Sequence, residues 1–358
     1  MVKKVCVLTL FWILWLTFSN AAFAEFEQEA LLFLDAQGMN KLLGPNDDVR
    51  SPDGILEADI VYSLSWNRFR FLAEYLLSNK EAEMERLQIG LQVHDASHIW
   101  LGRFHVPSNY WTNAFHHGKY LQISISNPGI LEFEDFGGVL PTHSTGLLLD
   151  GSYVFDSGSG VRSAFSVGTA SVLDNNFLES FDVLDPSSDH NLAVHFKFSY
   201  LPDYFKDNQF GLVALYADVD AENAFSQGLP VSGIELINVG AFFDWRVEKW
   251  HVFSVVSHVI SRLKVQNFAE DDSFTSGFVQ IEHDLNDSWT FYGRLEGSLS
   301  AGDSKYLQLI PSFVKSRQLI GARFDFWDRQ ALTLELANVE AVDSKFGQIR
   351  FQWSAVFP

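Results

Sequence analysis

Trp289-Thr290-Phe291-Tyr292-Gly293-Arg294-Leu295-Glu296 changes side-chain character at almost every step. Trp289, Phe291 and Leu295 share one face with Gly293, and Thr290, Tyr292, Arg294 and Glu296 share the other. Neighbouring side chains of an extended chain point to opposite faces, so the stretch reads as a strand with one apolar and one polar face. The C-terminal segment repeats it: Ile349, Phe351, Trp353, Ala355 and Phe357 alternate with Gln348, Arg350, Gln352, Ser354 and Val356. Near the start, Ile60, Tyr62, Leu64 and Trp66 alternate with Asp59, Val61, Ser63 and Ser65. A soluble sandwich alternates too, with its apolar face inward. Here tryptophans crowd the expected strand ends (Trp66, Trp100, Trp245, Trp250, Trp289, Trp327, Trp353). That placement favours the interfacial aromatic girdles of a membrane barrel over a soluble core.

The same pattern recurs near 28–36, 55–66, 68–77, 84–94, 97–105, 144–156, 161–173, 190–200, 208–218, 234–245, 248–260, 273–284, 287–298, 318–327, 331–340 and 346–357. Sixteen is an even number, as a bacterial single-chain barrel with both termini in the periplasm needs. The connections give an independent check. One set is short, around Asn67, Asp95-Ala96, 157–160, 202–208, Val247-Glu248, Asn286 and Asp328-Arg329. The interleaved set is mostly long: 37–54, 78–83, 106–143, 174–189, 219–233, 261–272, 299–317 and 341–345. Short turns at one end and long loops at the other are the asymmetry of an outer-membrane barrel. The expected fold is therefore all-β: an up-and-down antiparallel transmembrane β-barrel of sixteen strands.

Residues 1–24 read as a secretory signal peptide, leaving 25–358 as the barrel. Lys3 and Lys4 precede an apolar run from Val5 to Phe18, and Ala22 and Ala24 sit where a signal peptidase needs small residues. The competing reading, a membrane anchor, needs a longer apolar run. Cys6, the only cysteine, lies in the leader, so the mature chain has no disulfide or thiolate chemistry. The formal net charge is −20 and grows more negative once Lys3 and Lys4 leave, which argues against a nucleic-acid partner. After the leader no segment has the ~20 unbroken apolar residues of a spanning helix.

The connection 106–143 follows the fifth strand and is unlike the others. It contains Tyr110-Trp111, Asn113-Ala114-Phe115-His116-His117-Gly118, Pro128-Gly129-Ile130 and Glu132-Phe133-Glu134-Asp135-Phe136. So long and apolar a connection is functional rather than disordered. Its place resembles the third surface loop of sixteen-stranded bacterial porins, which folds into the barrel and narrows the pore. Gly102-Arg103-Phe104-His105-Val106-Pro107 is similar to a Gly-(basic or polar)-Phe-x-x-Pro segment of the phosphate-selective porin group. The 351–357 pattern resembles the C-terminal signal read by the barrel assembly machinery, with Pro358 in place of a final aromatic. The resemblance implies porin architecture, an inward-folding loop 106–143 and a homotrimer. It does not extend to phosphate selectivity, because Lys119 is the only Lys or Arg in that loop.

Charges of both signs on the polar faces suit a water-filled lumen, where they set ion selectivity. Glu132, Glu134 and Asp135 on the loop are the expected acidic side of a constriction. Arg103, Arg294, Arg323 and Arg350 are the expected basic side; the alternative is that these groups form wall salt bridges. His105, His116, His117 and His143 belong to a histidine-rich stretch and are candidate metal ligands, although no helical His-x-x-x-His pair occurs. Ser144 beside His143 invites a hydrolase reading, but neighbours on a strand face opposite sides, and no Gly-x-Ser-x-Gly elbow occurs. The expectation is a non-enzymatic, cofactor-free, porin-like outer-membrane channel passing small hydrophilic solutes. Its neighbours would be lipid, lipopolysaccharide held through divalent cations, and the assembly machinery engaged by strand 346–357. The alternative is a plugged barrel with a structural, adhesive or metal-binding role.

Overall fold

In a computed structural model of the chain, the described residues are 26–43, 54–80, 82–115, 118–184, 190–265 and 268–358. The proposed leader, His116 and His117 lie outside them. Each alternating segment becomes a strand that pairs with its chain neighbour, as short antiparallel connections demand. The strands are β1 (Phe26–Leu43), β2 (Gly54–Trp66), β3 (Phe69–Ser78), β4 (Ala82–His94), β5 (Ser97–His105), β6 (His143–Val154), β7 (Gly160–Thr169) and β8 (Leu192–Leu201). They continue as β9 (Gln209–Glu222), β10 (Leu229–Val247), β11 (Trp250–Val265), β12 (Phe268–Asn286), β13 (Trp289–Leu299), β14 (Val314–Phe326), β15 (Gln330–Ala341) and β16 (Lys345–Phe357). The last strand returns to the first, with Leu32 opposite Phe357 and Ala36 opposite Trp353, and closes a sixteen-stranded antiparallel barrel. Closure leaves no unpaired edge, the condition for strands to cross lipid.

The alternation sorts residues as the sequence implies. On β13, Trp289, Phe291 and Leu295 face outward and are exposed, while Thr290, Tyr292 and Arg294 are buried inside. The tryptophans gather at the short-turn end, where Trp289 packs on Phe324 and Trp245 stacks on Phe243. Strands β9 to β12 run further than their expected ends. The connections expected at 219–233 and 261–272 are shorter in the structure, because β9 to β12 continue into them. Their outward charges pair across strands there: Lys264 lies 2.7 Å from Asp218 and 3.3 Å from Glu235, and Arg262 lies 3.6 Å from Asp271. Opposed charges of this kind support a sheet in water and would be costly in hydrocarbon.

The interior is polar on only part of its circumference. On β9 to β12 many inward positions are apolar: Val213, Leu215, Leu236, Phe242, Phe253, Val255, Val259 and Phe278 are all buried. A strand apolar on both faces is one that is covered on both. Lipid covers the outside, and two inserted connections cover the inside. Segment 106–142 contributes Tyr110, Trp111, Ile130, Leu131, Val139 and Leu140, and segment 300–313 contributes Tyr306, Leu307, Leu309, Ile310 and Phe313.

Candidate functional site

Segment 106–142 enters the barrel through its aromatic end. Asn109 accepts the amide of Thr112 at 3.1 Å and starts the short helix α1 (Tyr110–Phe115). The helix presents Tyr110 to Phe242, with ring centroids 4.2 Å apart, and Trp111 to Phe253 at 5.5 Å. These contacts bury the loop by area rather than by charge.

The second half of the loop is held by hydrogen bonds. Arg294 is almost fully buried and donates to Ser124 Oγ at 3.0 Å, the Ser126 carbonyl at 2.9 Å and the Asn127 carbonyl at 3.1 Å. It pairs with Glu296 at 2.8 Å. Arg317 donates to the Asn127 carbonyl at 2.7 Å, and Arg323 donates to the carbonyls of Tyr120 and Gln122 at 2.7 and 2.8 Å. Glu335 accepts the amides of Ile125 and Ser126 at 3.1 and 3.4 Å, and Glu296 accepts the amide of Gly129 at 2.7 Å. The guanidinium fork and the carboxylate supply donors and acceptors that an irregular backbone inside a barrel would otherwise lack.

The expected site residues therefore divide. Arg294 and Arg323 are bonded into the loop backbone and Arg323 also pairs with Asp325, so neither points across free space at the loop acids. Arg103 is buried on the opposite side. There it reaches Glu83, the Phe181 carbonyl and Ser180 Oγ, pinning Ser180-Phe181 to the wall. Gly102, beside it in the expected motif, has φ of +131°, and a Cβ there would lie 2.1 Å from the Leu87 carbonyl oxygen. Glu134 is buried and accepts from the Thr142 amide at 3.0 Å, the Thr142 and Ser171 hydroxyls, and His143 at 3.2 Å. Burial alone would raise its carboxyl, but the His143 hydrogen bond and charge, with those hydroxyl and amide donors, bring it below its ordinary value.

Glu132 and Arg350 do share open space. Between the loop and the strands β1 to β4 lies a cavity of about 1210 Å³, lined among others by Asp35, Glu57, Glu83, Glu132, Arg317 and Arg350. Its lining holds nine carboxyl side chains against four of Lys or Arg. Enclosure by protein pushes the Glu132 carboxyl above its usual 4.5, and the charges of Arg317, Lys119 and Arg350 offset only part of this. The acids of the β1–β4 wall and the anchors Glu335 and Arg317 were not singled out from the sequence. The signal for Glu335 in the sequence is a single acid on the inward-facing set of β15, between Thr333 and Ala337.

No family model matches the chain, and no curated protein matches its sequence. Solved structures do. An anion-selective porin from Comamonas acidovorans is 11% identical, with 93% of this chain and 100% of that one covered and a TM-score of 0.61. OmpF of Salmonella typhi, solved with daunomycin, is 13% identical, covering 92% and 97%, at 0.58. The outer membrane channel DcaP of Acinetobacter baumannii is 12% identical, covering 95% and 99%, at 0.56. At these identities the likeness is one of architecture, and it is specific: the chain has the sixteen-stranded barrel fold of bacterial outer-membrane porins.

Proposed function

We propose that the protein is a porin-like channel of the outer membrane that passes small hydrophilic solutes by passive diffusion and favours cations. The observation that carries this reading is the cavity beside the loop, walled by carboxyl groups of β1 to β4 and faced by Glu132, Arg317 and Arg350. An acid-rich, water-filled lumen concentrates cations, and opposed charges across it orient dipolar solutes. The similar Comamonas porin is described as anion-selective; the lining here argues for the opposite sign. Arg294, Arg317 and Arg323 of the wall act as anchors of the loop, so selectivity rests on Glu132, Arg350 and the β1–β4 wall, with Asp135 of the same loop a further contributor.

In this reading residues 1–24 are removed as a leader, both termini lie in the periplasm, and strand 346–357 is recognised by the assembly machinery. A homotrimer in contact with lipopolysaccharide completes the proposal. A similar protein, OmpT of Vibrio cholerae, has been described in a trimer form. No catalytic role is assigned. The test is single-channel recording of the refolded protein in a planar bilayer, with reversal potential under a salt gradient. Steady openings with cation preference support the reading. A folded barrel that never conducts sinks it and leaves the plugged barrel.

A further inference from the structure

His105 ends β5 and His143 begins β6, so the two ends of the inserted loop meet as a cross-strand pair. Their rings stand edge to face, with centroids 5.0 Å apart. On the adjoining strand β4, a carboxylate oxygen of Glu85 lies 2.7 Å from His143 Nε2. One nitrogen of each histidine and one oxygen of Glu85 all lie within 4.8 Å of one another, and the three residues are buried. The other face of the His143 ring is fixed independently: Nδ1 lies 3.2 Å from Glu134, itself locked by Thr142 and Ser171.

We propose that Glu85, His105 and His143 form a binding site for a transition-metal dication of the zinc class. Two imidazoles and one carboxylate are a zinc-type donor set with one position left for water. Bond lengths of about 2.0–2.2 Å put tetrahedral ligand atoms roughly 3.3–3.6 Å apart, so closing the set asks for side-chain movements on the order of 1 Å. A carboxylate on the distal nitrogen of a ligating histidine fixes its tautomer and aims its other nitrogen at the metal, and Glu134 stands in that place. Glu85, His143 and Glu134 line the lumen cavity, which supplies a path for an ion. A bound dication would cross-link β4, β5 and β6 where the constriction loop leaves and rejoins the wall. The inference does not depend on conduction.

The test is calorimetric titration of the refolded full-length protein in detergent with ZnCl2. Folding of each variant is checked by heat-modifiable migration on gels. The wild type is expected to bind one Zn²⁺ per chain. Glu134→Gln should weaken it roughly 10–100-fold, as loss of an orienting partner does, and His105→Gln should weaken it at least as much. His143 bridges Glu85 and Glu134 at the loop base, so His105→Gln is the decisive variant. Absence of zinc binding by the wild type, or equal affinity in folded His105→Gln, overturns the proposal, the latter by showing that surface histidines bind the ion.

Discussion

Replacing Arg294 by alanine should release the constriction loop without unfolding the barrel. The side chain is 1% exposed. It bonds to Ser124, Ser126, Asn127 and Gln280 and pairs with Glu296. Removing one partner of a buried, hydrogen-bonded ion pair costs about 3–5 kcal/mol, because the partner is left charged in a poor environment. Glu296 keeps Arg317 at 3.5 Å and the Gly129 amide at 2.7 Å, which puts the cost at the lower end, about 3 kcal/mol. The cost falls mainly on loop docking, because the Ser124–Asn127 carbonyls and hydroxyls lose their common donor. The barrel ladder on either side of position 294 is unaffected. At about 1.4 kcal/mol per factor of ten, the undocked population of segment 120–130 rises roughly a hundredfold. Limited proteolysis should then cut the variant within this segment at a correspondingly higher rate, and single-channel current should become noisier. Arg294→Lys keeps the charge beside Glu296 but loses the planar fork, so it should fall between the two. Wild-type proteolysis and wild-type noise in a folded Arg294→Ala barrel would refute the anchoring argument.

Other outcomes follow from the same geometry. Trp111→Ala removes the ring between Phe253 and Phe278 and should destabilise the docked loop by about 3–5 kcal/mol, read as a lower urea midpoint for loop protection. Gly102→Ala should block barrel folding, seen as loss of heat-modifiable migration, because the new Cβ meets the Leu87 carbonyl oxygen at 2.1 Å in a left-handed backbone. Glu132→Gln should shift the reversal potential toward zero by removing a carboxylate from the lumen. The wild-type potential should move the same way on acidification, beginning above pH 4.5, since Glu132 takes up its proton above the ordinary value. A carboxyl raised on folding stabilises the folded state as pH falls through its folded pKa. Docking should therefore not weaken on that account, and Glu132→Gln should flatten this part of the selectivity profile.

The strands were legible because a barrel in lipid needs strict inside–outside order, which Trp289–Glu296 of β13 and Gln348–Ser354 of β16 follow. The strand count came from the connections as much as from the strands, since a missed strand would have mixed long and short sets. What could not be read was the inner face of β9 to β12. Val252-Phe253, Val255-Val256 and Val259-Ile260 carry apolar residues on both faces, and such runs say only that something covers each side. The cover, Tyr110-Trp111 from one loop and Tyr306 to Phe313 from another, lies far away in sequence. The arginines were visible as inward-facing charges, but their roles were not. Whether an inward arginine meets water, an acid or a loop carbonyl depends on the third dimension. Arg294 and Arg323 meet carbonyls, whereas Arg350 lines the cavity.

That division also explains where the channel must lie. The apolar strands β9 to β12 and the arginines of β13 and β14 both draw the loop toward the same half of the circumference, one by buried area and the other by hydrogen bonds. On β1 to β4 the inward positions carry Asp35, Glu57, Asp59, Glu83 and Glu85, and the loop meets this wall where Gly118 packs against Phe33 of β1. A loop bringing Glu132 and Glu134 would meet like charge there, and Glu134 is accommodated only where His143 stands between it and Glu85. Space is left against the acidic wall because the buried aromatic contacts and the arginine hydrogen bonds of the loop lie on β9 to β14. Neutralising that wall, for example with Glu57→Gln and Glu83→Gln together, should cost cation preference. If the repulsion helps keep the gap open, conductance should fall as well, with the loop drifting toward β1 to β4. Lost preference with unchanged conductance would show that the anchors alone set the position of the loop.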